Sequence, residues 1–367
     1  MFFRQEKERK RISFNVTERG ATVKKERYFA LAAGLVMFAA VFVFPREFSQ
    51  GAATGLKNSA GIIVPSLFPF MVAARLLGEG EMPLFMKRFL DPVMQKLFGQ
   101  PAESAVAVFI GLFGGYPSGV KAAAALYESG KINKDQAENL ALFCINAGTG
   151  FCVNALGRSL MNSERAGIII FASLCFSALF TGFFARPKSA EKEGRADVIE
   201  CKPFSKIFVE SVASGASGIV TVSAFATLFS GLIAVVSLFI KNEKAAVTVS
   251  CLLEITSGCA LAAGKIPLPM IASACAFGGL CVHMQIFASA DKLKPDWKKF
   301  LLFRIIHSAV SGTMCALLLK IFPVAVQTVV PLTDGAELFS FSMPAALSLL
   351  FFSSLLIFDL DKQRKIC

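Results

Sequence analysis

The sequence has few of the side chains on which enzyme chemistry depends. It holds two histidines, one tryptophan and three tyrosines among 367 residues. No HExxH, P-loop or GxSxG motif occurs, and no paired aspartates lie in adjacent apolar segments. We therefore expect neither an enzyme nor a bound cofactor or metal. A coupling proton or sodium ion is the one small partner ion that we keep open.

Cysteine is present, but not in the arrangements that bind metals or form disulfide frameworks. The ten cysteines include no CxxC pair and no His/Cys ligand spacing, and most lie inside apolar segments, where they behave as small hydrophobic residues. Acidic residues are outnumbered, which gives a net charge of +12. Because the basic residues lie in a tail and in loops between apolar segments, the positive-inside rule explains them and a nucleic-acid partner is not expected.

Long apolar runs dominate what is there. Hydrophobic residues make up 54% of the chain and the mean hydropathy is +0.60. These values predict an all-α integral membrane protein with about 8–10 transmembrane or re-entrant segments, whose partners are the lipid bilayer and a small-molecule solute. A homo-oligomer is compatible with this composition.

Charge patterns divide the chain into five parts. Residues 1–27 carry nine lysines or arginines and predict a cytosolic basic tail, so the N-terminus is expected in the cytoplasm. Residues 28–44 predict a first transmembrane helix. Residues 45–186 and 207–367 predict two related repeats, joined by a basic cytosolic connector at 187–206.

The repeats are predicted from constant offsets between matching residues. One block matches at a shift of 157, and a second block matches at a shift of 164. Paired halves in a membrane protein are typical of transporters, because a central site between them can face either side. The first block pairs Gly61, Ile62, Ser66 and Phe68 with Gly218, Ile219, Ser223 and Phe225. The second pairs Phe113, Gly114, Gly115, Gly148 and Thr149 with Phe277, Gly278, Gly279, Gly312 and Thr313.

A cluster of helix-breaking residues lies at the centre of the segment 103–127. The stretch GLFGGYPSGVK contains four glycines and one proline. In a helix interior, a glycine costs about 1 kcal/mol and a proline about 3 kcal/mol relative to alanine. Broken backbone at membrane depth is tolerated where it is buried in protein or lines a watery cavity. A solute site is one interpretation of this break, and a packing or hinge point between helices is the other. Residues 58–77, interrupted by Pro65 and Pro69, predict a second broken element.

Glu254 is the strongest candidate among the polar residues inside apolar segments. A charge at the bilayer centre costs about 2.5–3.5 kcal/mol on insertion scales, so it requires a partner or a function. With Thr256 and Ser257 beside it, Glu254 predicts a proton, cation or solute site. The alternative is a structural acceptor that pairs with Lys121 or Arg304.

The other polar residues have two interpretations each. Lys121 suits an anionic solute or reaches the membrane interface, and His283 suits proton relay or packing. Asn146 and Thr149 bind a solute or join helices, whereas Arg304 and His307 lie near a helix start and Arg304 is expected at the interface. The full candidate set is Ser66, Gly114, Gly115, Tyr116, Ser118, Lys121, Asn146, Thr149, Glu254, Thr256, Ser257, Gly278, Gly279, His283 and Gln285.

Five motifs in this order carry a resemblance to a known family. The chain resembles the YlbJ type of sporulation integral membrane proteins, which belong to the membrane proteins with nucleoside-recognition Gate domains. The resemblance covers roughly residues 30 to 325 and leaves out the basic tail. The motifs are PSLFPF (65–70), GGYPSGVK (114–121), INAGTGF (145–151), EITSG (254–258) and FGGLCVHMQ (277–285).

The resemblance implies a multi-pass protein of the bacterial cell membrane with two Gate repeats, distantly similar to concentrative nucleoside transporters. In sporulating members it implies a role in moving dipicolinic acid into the forespore. We therefore expect a transporter of a small polar or anionic metabolite, either a dipicolinate-type carboxylate or a nucleoside-like solute. The alternative is a non-transporting scaffold of a sporulation or envelope complex, whose polar residues would be dispersed rather than gathered at one cavity.

Overall fold

The computed structural model describes residues 27–28, 30–187, 203–290, 293 and 295–324. Every regular element in these ranges is helical, which confirms the all-α prediction. The predicted basic tail, most of the connector and the C-terminal apolar segment 342–360 lie outside the described residues.

The described helices fall into two groups on either side of the connector. Short π-helical segments occur at Ser59–Ile63 and Gly150–Leu160, and a 3₁₀ turn at Ala102–Ser104. The first group is α1 (Ala30–Val43), α2 (Pro45–Asn58), α3 (Val64–Glu79), α4 (Leu84–Phe98), α5 (Ala105–Phe113), α6 (Tyr116–Glu128), α7 (Lys134–Phe143) and α8 (Glu164–Phe184). The second group is α9 (Phe204–Ser237), α10 (Glu243–Leu253), α11 (Ile255–Ala262), α12 (Leu268–Phe277), α13 (Gly279–Ser289) and α14 (Trp297–Ile321).

Five helical stretches of the described chain are long and apolar enough to cross a membrane. Phenylalanine and leucine side chains stand exposed along several of them, as expected of surfaces that face lipid. Together these features identify an integral membrane protein. The five stretches are Pro45–Glu79, Glu164–Phe184, Phe204–Ser237, Leu268–Ser289 and Trp297–Ile321.

Two pairs of short helices fold back on themselves as helical hairpins. In hairpin 1, formed by α5 and α6, a Cβ on Gly119 would lie 2.5 Å from the Cα of Gly111, although a straight helix would separate these residues by about 12 Å. In hairpin 2, formed by α10 and α11, Gly258 approaches the Cα of Cys251 equally closely. The chain therefore reverses at Gly114 and Gly115 in the first hairpin and at Glu254 in the second.

Two further elements are helices broken along their length. α7 ends at Phe143, and residues 144–148 are not helical before the chain becomes helical again at Thr149 and the π-helical segment begins at Gly150. α12 ends at Phe277, where Gly278 adopts a left-handed conformation with φ of 87°, and α13 begins at the next residue. The break after α7 was not predicted, although the glycines of INAGTGF were its signal.

Each group contains a long helix, a hairpin, a broken helix and a straight helix in the same order. The offset of 157 pairs residues of the two long helices, the π-helical turn and α3 with α9, whereas the offset of 164 pairs residues from different kinds of element. Gly114 and Gly115 lie at a hairpin tip whereas Gly278 lies in a broken helix, and Gly312 lies inside the continuous helix α14. By element type, the tip of hairpin 1 corresponds to Glu254. The proposed boundaries of the two halves stay a prediction.

Residues 58–77 were predicted to form a second broken element, and this prediction was wrong because the helix is continuous there. α2 and α3 continue through the π-helical turn Ser59–Ile63 as one stretch of 35 residues. The widened turn ends just before Pro65, so the hydrogen bond that proline cannot make is lost where the helical register already changes. The residues predicted as a first transmembrane helix contain α1, a shorter apolar helix that bends at Phe44 into α2, and its crossing of the membrane stays a prediction.

Candidate functional site

A cavity lies where the tips of the two hairpins meet. Its walls come from both tips, the π-helical turn before α3, the middle of α9, the unwound segment after α7 and the start of α13. It contains about 50 Å³ of space open to the centres of water molecules, and one water needs about 10–15 Å³ on this measure. Seven predicted residues line it: Ser66, Gly114, Gly115, Tyr116, Glu254, Thr256 and Gln285.

The tip of hairpin 1 contributes backbone rather than charged side chains. Gly115 has a φ of 97°, a conformation that other residues rarely adopt, and it begins α6 without a side-chain cap. At the start of α6, Gly115 and Tyr116 line the cavity with an amide N–H, whereas Pro117 has none and the amide of Ser118 donates to the carbonyl of Gly115. The positive end of the helix dipole lies at the cavity, where it favours an acceptor or an anion. A Cβ on Gly115 would collide with the side chain of Leu67, so the close approach also requires glycine.

The tip of hairpin 2 contributes a carboxylate. Glu254 is 3% exposed and caps α11, accepting hydrogen bonds from the amides of Thr256 at 2.8 Å and Ser257 at 2.7 Å. Each oxygen keeps acceptor capacity beyond this one bond, because an ionised carboxylate offers about four acceptor positions. No lysine, arginine or histidine is among the described residues that line the cavity. Its charge is therefore set by Glu254 and the two helix N-termini.

Lys121 does not face the cavity. Its ammonium group lies 3.4 Å from the carbonyl oxygen of Ser214 and packs against Gly218, so it points at α9. The predicted pairing of Glu254 with Lys121 or Arg304 is also not seen, because Glu254 binds the amides of its own helix.

The remaining predicted residues join helices to one another. The hydroxyl of Thr149 donates to the carbonyl of Phe113 at 3.4 Å, and Ser257 shares a hydrogen bond with Ser230 of α9 at 3.0 Å. Asn146 contacts the sulfur of Cys175, and Ser118 donates to Gly114 within its own hairpin. A ring nitrogen of His283 lies 2.9 Å from the carbonyl oxygen of Phe277. Gly278 and Gly279 supply the break between α12 and α13.

Arg304, which was expected at the interface, and His307, which was not among the candidate site residues, both lie buried inside the protein. Arg304 and His307 are both 0% exposed. Arg304 donates three hydrogen bonds to backbone carbonyls, and both ring nitrogens of His307 have no hydrogen-bond partner among the described residues. The signal for Arg304 in the sequence was a charge two turns inside an apolar helix. It was not recognised because a long basic side chain at that depth can also extend to the membrane interface.

The sequence of the chain is similar to that of a curated membrane protein. Over 217 residues the chain is 24% identical to "Sporulation integral membrane protein YlbJ" of Bacillus subtilis (strain 168), and the match covers 53% of each protein. The chain is related to YlbJ. The resemblance predicted from the motifs is thereby confirmed, although the chain spans only about half the length of this curated relative.

The similarity to YlbJ supports a membrane protein and nothing finer, because sporulation is stated only of YlbJ and its name gives no solute and no activity. No protein-family model matches the chain. No solved structure matches it significantly. What the cavity binds must therefore be argued from the residues around it.

Proposed function

We propose that this protein is a membrane transporter of a small polar metabolite, and that the cavity between the hairpin tips is its solute site. One observation carries the proposal: Gly114 and Gly115 from one hairpin and Glu254 from the other, far apart in sequence, line the same cavity. Broken or re-entrant helices whose ends point at a common site are the recurring solute sites of secondary transporters.

The charges around the cavity bear on the solute class. A hydrogen-bond donor of the solute fits Glu254, and an acceptor fits the amide N–H of Gly115 or Tyr116 at the start of α6. A nucleoside-like solute offers both. A dipicolinate-type dianion fits the amides, but it also places negative charge beside Glu254, so a proton or sodium ion must accompany it.

The size of the cavity implies that solute binding requires movement. The described space holds a few water molecules, which is less than either solute needs. The two tips must therefore separate for a solute to enter, as lids do in other proteins that enclose their ligands.

The test is uptake into proteoliposomes of radiolabelled uridine and, in parallel, dipicolinate at neutral and acidic pH. We expect saturable uptake of one solute, reduced at least tenfold by Glu254→Gln. The matched control is Glu243→Gln, which makes the same change in the same hairpin at a side chain that is 71% exposed. Equal uptake by wild type and Glu254→Gln would contradict the assignment of the cavity.

A scaffold in a sporulation or envelope complex is the second candidate. It is favoured by the eight predicted polar or glycine residues that shape or join helices instead of lining the cavity, Lys121 and Asn146 among them. Folded wild-type protein that takes up neither solute supports this candidate. Retained sporulation or envelope phenotypes in a Glu254→Gln strain would support it further.

A further inference from the structure

Arg304 carries a buried positive charge that no carboxylate neutralises within the described residues. Its Nη1 donates to the carbonyl oxygens of Ile145 at 2.9 Å and Ala276 at 3.2 Å, and its Nη2 donates to Leu142 at 3.0 Å. All of its hydrogen-bond acceptors are therefore backbone groups, and the ring centre of Phe300 lies 5.9 Å from the guanidinium carbon. A charge buried in this way requires compensation from another source.

The compensation comes from two helix ends. Leu142 lies in the last turn of α7, Ile145 follows its end, and Ala276 lies in the last turn of α12. Carbonyls at a helix C-terminus lack intrahelical partners, and together they carry about half a negative charge. Two such ends provide about one unit, which matches the single charge of the guanidinium. One residue of α14 thus serves both broken helices, one from each group.

Side chains contact each of the last three backbone carbonyls of α12. The hydroxyl of Tyr116 donates to Cys275 at 2.8 Å, Arg304 donates to Ala276, and His283 lies at hydrogen-bond distance from Phe277. Tyr116 belongs to hairpin 1, so this end also fixes the tip of that hairpin.

Both helix ends lead directly into walls of the cavity. Gly148 and Gly150 line it just beyond Ile145, and Val282 and Gln285 line it just beyond the end of α12. Arg304 itself is not among the lining residues. It acts on the cavity through the segments that it holds.

We infer that Arg304 is a positioning residue that fastens the two broken helices into one unit behind the solute site. Moving either helix end away would leave about half of the guanidinium charge uncompensated, so the two ends move together. Solute is then admitted by movement of a hairpin and not by separation of the broken helices. The relevance to transport rests on the proposed function, whereas the fastening itself can be tested without transport.

Native cysteines report on both helix ends. Cys144 directly follows α7 and Cys275 lies in the last turn of α12, and they are 1% and 0% exposed. The experiment measures the rate at which N-ethylmaleimide labels each thiol in membranes that hold the full chain, by mass spectrometry of the two peptides. In Arg304→Gln we expect both rates to rise at least tenfold. The control is Lys121→Gln, the same substitution at a cation that contacts a single carbonyl of α9, which should change neither rate more than twofold.

Arg304→Lys is the second variant and decides the matter if Arg304→Gln does not fold. An ammonium keeps the charge but lacks the planar fork that spans two helix ends, so at least one thiol should become more reactive. In uptake, the maximal rate of Arg304→Lys should fall while KM changes less than twofold, because the cavity lining is unchanged. Unaltered labelling of both thiols in the folded variants, or a rise at one thiol alone in Arg304→Gln, overturns the inference. Absent uptake by wild type contradicts the proposed function and leaves the labelling result standing.

Discussion

The two hairpins reach the same cavity but are held in different ways. In hairpin 1, 4 of the 9 residues of α5 and 10 of the 13 residues of α6 are buried, whereas in hairpin 2 the numbers are 3 of 11 for α10 and 4 of 8 for α11. The tip of hairpin 1 is neutral glycine backbone, and the tip of hairpin 2 is the carboxylate of Glu254. The tips of the two hairpins therefore occupy similar positions in the fold but differ in charge, one being neutral backbone and the other a carboxylate.

The difference indicates which hairpin moves. Gly111 and Gly119 of hairpin 1 both press their backbone against the carbonyl of Cys144, which leaves no room for rearrangement. Hairpin 2 has one such approach, of Gly279 in α13 to the carbonyl of Cys251, and it is joined to α9 by the hydrogen bond between Ser257 and Ser230, which can break and reform at small cost. We therefore expect hairpin 1 to be fixed and hairpin 2 to admit the solute.

The largest effect is expected from Gly119→Ala. The added Cβ would collide with the carbonyl oxygen of Cys144 and lie 2.5 Å from the Cα of Gly111, and overpacking of this kind destabilises by about 1–3 kcal/mol or more. The midpoint of thermal unfolding in detergent measures it. Gly34→Ala in α1 is the control, because a Cβ there meets nothing within 4 Å. Equal midpoints for the two variants would show that hairpin 1 is not fixed by this contact.

Tyr116→Phe should have a smaller effect on hairpin 1. It removes the hydrogen bond of 2.8 Å to the carbonyl of Cys275 without changing the packed volume appreciably, which should lower the free energy of unfolding by about 1 kcal/mol. The same change at Tyr28, whose side chain is 71% exposed, should leave stability unaltered. A Tyr116→Phe protein as stable as wild type would remove this anchor from the comparison.

A double-mutant cycle of Ser257→Ala and Ser230→Ala sharpens the comparison from the side of hairpin 2. The hydroxyls lie 3.0 Å apart, and we expect a coupling energy of about 0.5 kcal/mol, at the low end for residues in contact. Chemical unfolding of the four proteins gives this value. A coupling energy larger than the loss of stability caused by Tyr116→Phe would mean that hairpin 2 is the more firmly held of the two.

The smallest effects are expected at the bases of the hairpins. Lys265→Gln breaks an exposed pair in which Nζ lies 2.7 Å from Oε1 of Glu243, and no measurable loss of stability should follow. Arg75→Gln breaks less exposed ion pairs of α3, with Glu128 at the end of α6 and with Glu79 in α3 itself, and should cost about 0.2–0.4 kcal/mol. Thermal midpoints in the reverse order would contradict the assignment of hairpin 1 as the fixed one.

The glycine pairs predicted where helices end, but not what the chain does next. α5 and α12 both end at the phenylalanine of an FGG motif, as the cost of glycine in helices implies. After the first motif the chain reverses and after the second it continues. The flanking residues explain the difference, since Gly111 and Gly119 let two arms touch, whereas Cys275 and His283 at the same spacing are too large. These glycines are visible in the sequence, but their role is recognisable only once the two arms are seen packed against each other.

The site was predictable in part for a related reason. Glu254 and the residues around Gly114 were selected because charge and broken backbone are expensive in a membrane, and the structure brings them together. Lys121 and Asn146 met the same criterion, yet they contact neighbouring helices. Which way a polar side chain turns depends on non-local neighbours. For Arg304 these are two helix ends more than 100 residues apart, which no local pattern reveals.

Glu254 has one more consequence, because it is both the cap of α11 and the charged group of the cavity. A ligand that binds this carboxylate uses acceptor positions on the same two oxygens that hold the first turn of α11, so occupancy of the cavity and helicity of the hairpin are coupled. Such coupling is reciprocal. Whatever frays the start of α11 must therefore change affinity for the ligand, and the ligand must in turn set how far that helix extends toward Glu254.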